Sequence, residues 1–281
     1  METCYRHSSR ETRVSCSNCG RPICTDCMTT TPVGMRCPEC ARQRTPVRTM
    51  RNVVSGGIEA TRALIAINCV VFLASGHFTL SGPTGGKVIQ NGVLSAETIA
   101  VSHQYWRLVT AGFLHENLLH IGFNMYLLYV LGQMLEPALG KVKFVAIYTV
   151  ALLFGSAGAM VGVSQYSASL GASGAVFGLA GAAIVEMRAR GINPMDSGIP
   201  ALILINLVLG VALPNISIGD HIGGLIGGGL AALALGLGDR RRSPLLGLAG
   251  CVVLGVVAVG VAIAVAHAQV PAAAAGFSFG P

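Results

Sequence analysis

The sequence predicts an all-α fold: a polytopic membrane helix bundle, with six helices forming a core and a seventh C-terminal span, preceded by a small cysteine-rich domain. Three observations predict it. Charged residues make up only 11% of the chain and hydrophobic ones 52%, whereas soluble domains carry about 25% charged residues. The apolar residues gather into seven runs, each measured against the ~20 residues a helix needs to span a bilayer. Seven of the nine cysteines lie between Cys4 and Cys40. The 37 glycines have no collagen-like period, and such small residues let membrane helices pack closely.

In chain order, residues 1–41 form the cysteine-rich unit and 42–61 a basic linker containing Arg42, Arg44, Arg48 and Arg51. Residues 62–237 form the six-helix core, and 238–281 carry the seventh span and a tail. The spans are expected near 62–80, 117–139, 143–163, 171–188, 199–214, 221–237 and 246–267, the fifth being the shortest. The Ala- and Gly-rich tail from Pro271 is expected to be disordered. No apolar stretch precedes residue 58, so the first span, rather than a cleavable leader, is expected to direct insertion.

The loops give the orientation. Arg and Lys concentrate on the cytoplasmic side of membrane proteins. Arg48, Arg51 and Arg62 precede the first span, and Lys141 and Lys143 separate the second and third. Arg188 and Arg190 follow the fourth, and Arg240, Arg241 and Arg242 follow the sixth. The alternate connections are almost free of such residues, including SQYSAS at 164–169 and the C-terminal tail. The long loop at 76–116, with the turn-rich run SGPTGGK at 81–87, is external and carries only Lys87 and Arg107. Its Trp106 suits the membrane interface. One orientation satisfies the pattern: N-terminus inside, C-terminus outside. The net charge of +7 is thereby explained by topology, and no nucleic-acid partner is expected.

Polar residues inside spans are costly. His120 and Asn124 share one face of the second span, one turn apart, a pattern that also serves interhelical hydrogen bonding. Ser173 stands in Gly171-Ala172-Ser173-Gly174 at the start of the fourth span, where free backbone N–H groups can stabilise an oxyanion. Gly174 and Gly178 equally read as a packing motif. His221 opens the sixth span, ahead of the close-packing face of Gly224 and Gly228. The fourth and sixth spans both begin outside, so Ser173 and His221 lie at matching depth, as a serine and its base require.

Taken together, these residues resemble the rhomboid family of intramembrane serine proteases. The resemblance runs through Trp106-Arg107, His115, His120 to Asn124, Gly132 with Glu136, GASG around Ser173, and His221 with Gly224 and Gly228. It covers roughly residues 62–237. It implies a catalytic Ser173–His221 dyad with no third acid and no catalytic cofactor. His120 and Asn124, with the Ser173 N–H, would form the oxyanion site. Arg107 and Glu136 would be structural. Phe177 stands where many bacterial members have tyrosine, which loses a hydroxyl but keeps a ring to pack on the histidine. Adjacent helical positions point about 100° apart, so Asp220 is not expected to act as an acid behind His221. The implied substrates are membrane-spanning proteins cleaved near the outer face, and the implied location is a bacterial plasma membrane. A catalytically silent relative would be expected to lack Ser173 or His221. A transporter would place its ionisable residues near mid-bilayer.

The head reads Cys4-x-x-His7, Cys16-x-x-Cys19, Cys24-x-x-Cys27 and Cys37-x-x-Cys40, four pairs that supply eight ligands for two closed zinc sites. A cytoplasmic position keeps thiols reduced and argues against disulfides. Alternating pairs suggest cross-bracing: Cys4, His7, Cys24 and Cys27 in one site, Cys16, Cys19, Cys37 and Cys40 in the other. Sequential pairing is the alternative. The head resembles a B-box-type zinc finger, which implies structural metal and a cytosolic protein partner. Cys69 and Cys251, in apolar runs, read as packing residues.

Overall fold

The computed structural model describes residues 2–31, 34–42, 57–76, 79–80, 86–161, 168–212 and 217–270. Most of the basic linker (43–56), residues 81–85 of the turn-rich run, residues 164–167 of the loop between the third and fourth spans and the tail from Pro271 lie outside them. The chain divides into two compact units, Met1–Arg51 and Asn52–Pro281.

The first unit is built on two small antiparallel ribbons. Strand β1 (Glu2–Thr3) pairs with β2 (Glu11–Thr12), and β3 (Thr29–Thr31) with β4 (Gly34–Arg36). A short helix, α1 (Pro38–Arg42), follows. The core is little more than six cysteines around Ile23, with Tyr5, Met28 and Met35 alongside. A domain this small does not bury enough apolar surface to hold itself together and normally needs a metal or disulfides.

The second unit is helical. Helices occupy all seven apolar segments: α2 (Glu59–Ser75), then, after the short α3 (Lys87–Gly92), α4 (Ala96–Ala100) and α5 (Arg107–Thr110), come α6 (Leu118–Leu139), α7 (Lys141–Ala159), α8 (Ser173–Ala189), α9 (Ile199–Ala212), α10 (Ile218–Arg240) and α11 (Pro244–Gln269). Helix is the natural choice in lipid, because it satisfies every backbone polar group within the segment. α6, α7, α10 and α11 are long and apolar enough to cross a membrane by length and composition. α2 and α8 have 17 residues each and α9 has 14.

The packing is set by glycine. A Cβ on Gly224 would lie 1.9 Å from the Gly174 carbonyl oxygen, and one on Gly228 2.0 Å from that of Gly178. Gly174 meets Gly224 and Gly178 meets Gly228, so α8 and α10 run parallel, backbone against backbone. On its other side α10 meets α7 in the opposite sense. Gly219 touches Gly158, while Gly223 and Gly227 touch Phe154. The glycines thus bring three helices within carbonyl contact, where larger side chains would hold them 8–10 Å apart at their axes.

Two buried charged residues join the remaining parts. Glu136, 3% exposed, accepts the N–H groups of Ala60 and Thr61 at 2.8 Å each and the Thr61 hydroxyl at 2.6 Å. It therefore caps the start of α2 from α6. Gly132, one turn earlier, leaves room for Thr61, which a Cβ there would meet at 2.3 Å. Arg107 donates to the carbonyls of Gln90 and Val93 at 2.8 and 2.6 Å, tying α3 to α5. α11 carries Ala262 and Ala266, with Val270 just beyond its end, into a second cluster with Leu94, Ala96 and Ile99, so the seventh helix packs on the long first loop. Trp106 of that loop is exposed.

Candidate active site and metal clusters

The segment leading to Ser173 is held on both sides before the helix begins. Leu94 and Ser169 exchange backbone hydrogen bonds at 3.1 and 2.8 Å, and the Gly171 N–H donates to the Ala111 carbonyl at 2.9 Å. Gly171 has φ +130°, which side chains rarely adopt, and a Cβ there would lie 2.8 Å from His120 Nε2. Glycine is therefore needed for both backbone and space. Ser173 is the first residue of α8, where N–H groups lack intrahelical partners.

The parallel α8–α10 seam brings His221 to the same end. His221 is buried and stacks on Phe177, with ring centroids 4.1 Å apart and an interplanar angle of 10°. Phe177 lies one turn after Ser173, so the nucleophile candidate and the partner ring of the histidine share one face of α8.

From α6, His120 faces Gly171 through Nε2. Its ring meets that of the buried His115 edge-on at 5.1 Å. His120 sits in the first turn of α6, where the Asn117 side chain accepts its backbone N–H at 2.9 Å. Asn124 is buried, and its Nδ2 donates to the His120 carbonyl at 3.0 Å. One of its two amide hydrogens is thus spent within α6.

Sequence reasoning missed one contact. Ser173 Oγ donates to Asp220 Oδ2 at 2.9 Å. Asp220 was considered only as an acid behind its neighbour His221, whereas its side chain reaches across to the serine on α8. The GD pair ahead of His221 signals a carboxylate at the helix start, but the reach depends on the glycine seam.

In the head, the ligand atoms of Cys4, His7, Cys24 and Cys27 lie within 4.8 Å of one another, as do those of Cys16, Cys19, Cys37 and Cys40. This is the alternating, cross-braced grouping. The spacings suit a tetrahedral ion. Cys19 and Cys37 Sγ are 3.8 Å apart, and His7 Nδ1 lies 3.4 Å from both Cys24 and Cys27 Sγ. Zinc bonds of about 2.3 Å to sulfur and 2.0–2.1 Å to nitrogen imply edges of roughly 3.8 and 3.5 Å. The Cys37 N–H donates to Cys16 Sγ at 3.3 Å and draws that thiol down to about 6, towards the thiolate a metal binds. Asn18 Nδ2 donates to Cys40 Sγ at 3.3 Å, a supporting bond of the kind that orients metal ligands.

A glycine-packed bundle of apolar helices, several long enough to cross a membrane, defines a class, the polytopic membrane proteins. The rhomboid domain profile matches residues 102–238, so the chain carries a rhomboid domain. It is accordingly a multi-pass membrane protein. Rhomboid protease GluP of Bacillus subtilis (strain 168) is 41% identical over 137 residues, covering 48% of this chain and 27% of that protein. YdcA of the same organism is 29% identical over 185 residues, covering 64% of this chain and 89% of that protein. Inactive RHOMBOID-like protein 8 of Arabidopsis thaliana is 31% identical over 151 residues, covering 52% and 42%. The chain spans 27% to 51% of the length of the first relatives it matches.

Proposed function

We propose that this chain is an intramembrane serine endopeptidase that cleaves membrane-spanning proteins near their outer ends. The observation that carries the reading is the α8–α10 glycine seam, which sets the Ser173 helix and His221 side by side with Phe177 stacked on the histidine. Similarity to a relative named inactive means that family membership alone does not settle activity, so the site must carry the argument.

In the proposed reaction Ser173 Oγ attacks the scissile carbonyl carbon while its proton passes to His221. His120, the second N–H of Asn124 and the Ser173 backbone N–H stabilise the oxyanion. Collapse breaks the C–N bond, and the amine leaves with the proton from His221. Water then hydrolyses the acyl-enzyme by the same route, so the site must be hydrated from outside. Substrate helices with small or helix-breaking residues near the cut would unwind most readily. The proposed topology has seven spans in a bacterial plasma membrane, N-terminus in the cytoplasm and C-terminus outside. Zn²⁺ in both head clusters would be structural, because four protein ligands leave no open position. The head would then present a folded surface to a cytosolic protein.

The test is cleavage of a panel of single-span substrates by wild type, Ser173→Ala and His221→Ala. Product only with wild type is the expected result. Equal product from all three would refute the dyad.

A further inference from the structure

Asp220 takes no part in the steps above, yet its carboxylate touches the nucleophile candidate. Ser173 has one hydroxyl hydrogen to give, and it goes to Asp220 Oδ2 at 2.9 Å. His221 Nδ1 is buried and has no hydrogen-bond partner among the described residues. The carboxylate is firmly seated. A Cβ on Gly155 or Gly174 would lie 2.6 or 2.4 Å from its Oδ1, so two glycines on α7 and α8 form its socket. The Gly174 backbone N–H is directed to it as well. Ala172, the residue before α8, offers no side-chain cap, so an anion supplied from α10 completes the start of that helix. Ser217 in turn caps α10 by accepting the Asp220 N–H at 3.2 Å. Of the two partners, the carboxylate is fixed from several sides, whereas the serine side chain needs only rotate about one bond.

We propose that Asp220 is a latch on the nucleophile. It holds the Ser173 hydroxyl hydrogen away from His221, and the dyad engages only when Ser173 turns off the carboxylate. A hydrogen bond to an ionised acceptor is about twice as strong as one between neutral groups, so the latched form is favoured over the engaged one. The apparent reactivity of the serine is then reduced by the fraction of molecules in the competent form. Asp220 is a positioning residue in this scheme, and the inference rests on the assignment of Ser173 as nucleophile and His221 as base.

The experiment uses the purified full-length protein and the rate of covalent labelling by a fluorophosphonate bearing a fluorophore, with Ser173→Ala as the blank. Asp220→Asn keeps the shape but has one acceptor oxygen. With that oxygen on the Gly174 N–H, its NH₂ donates to Ser173 Oγ and the hydroxyl hydrogen is released to His221. Labelling is expected to quicken by roughly tenfold, as weakening one charge-assisted hydrogen bond predicts, and kcat on a membrane substrate to rise with KM unchanged. Asp220→Ala, which removes both acceptors, is expected to change labelling in the same direction and serves if the Asn form does not fold. Loss of a merely structural contact would slow labelling, so equal or slower labelling in the folded variant overturns the latch. Absence of Ser173-dependent labelling in every form overturns the nucleophile assignment, and the latch with it.

Discussion

Gly224→Ala tests whether the glycine seam, rather than the mere presence of Ser173 and His221, makes the site. The added Cβ would stand 1.9 Å from the Gly174 carbonyl oxygen, 2.5 Å from its carbon and 2.8 Å from its Cα. All three atoms are backbone, so no flexible side chain can yield. Ordinary contact begins at 3.4 Å, and 3.4 − 1.9 leaves 1.5 Å to be made up by separating α8 from α10. Overpacking of this kind costs about 1–3 kcal/mol, which a helical bundle can survive. The clash lies one turn from His221 and directly beside Ser173, so the separation falls on the proposed catalytic pair. A misplacement of about 1 Å costs on the order of 100-fold in rate, or about 2.7 kcal/mol of barrier. The assay is kcat/KM on a single-span substrate, with thermal unfolding measured on the same preparation. Gly236→Ala is the control: it lies on the same helix with nothing within 4 Å of its Cβ. It should leave kcat/KM unchanged and, on helix propensity, stabilise by up to about 1 kcal/mol. Wild-type kinetics in a folded Gly224→Ala protein would show that contact across the seam does not set the geometry of the dyad.

Two further predictions follow from contacts away from the dyad. Glu136→Ala strips three hydrogen bonds from the buried start of α2; at about 1–3 kcal/mol for each buried donor left unsatisfied, a clear fall in thermal midpoint is expected. An unchanged midpoint would mean that α2 is held by its apolar face alone. The head should carry two zinc ions per purified chain, with Cys24→Ala and Cys37→Ala each lowering the content to about one, by mass spectrometry of the native protein. Loss of both ions from either single variant would indicate that the clusters fold as one unit, and fewer than two in wild type would contradict the two-site reading.

The helices were legible because each apolar run satisfies its own backbone locally, and a run of suitable length reads as helix whatever packs beside it. The second and third, α6 and α7, and the sixth and seventh, α10 and α11, show this most clearly. Their apolar length alone marks them as candidates to cross a membrane. The shorter α8 and α9 were read from the same pattern, and α9 is indeed the shortest of the seven. Asn117 and Ser217 cap α6 and α10 by accepting helix N–H groups, which the structure alone brought out. That Glu136 caps a helix 75 residues away along the chain was not legible, because no local pattern links Thr61 to α6. The same limit applied to Asp220. Helix geometry sets its angular offset from His221, but its partner lies on another helix.

The sequence by itself determined which residues are the candidates for chemistry: Ser173 and His221 at helix starts, His120 and Asn124 one turn apart, and four chelating pairs in the head. Residue type and short spacing are local properties, fixed by 3.6 residues per turn or by the reach of a Cys-x-x-Cys pair. Only the tertiary structure decided which of these residues meet. It joined the first head pair to the third and the second to the fourth, where spacing had allowed either pairing. It also brought the Asp220 carboxylate onto Ser173. Both outcomes depend on how segments distant in sequence come into register, and in the bundle that register is set by glycines that let one backbone rest against another.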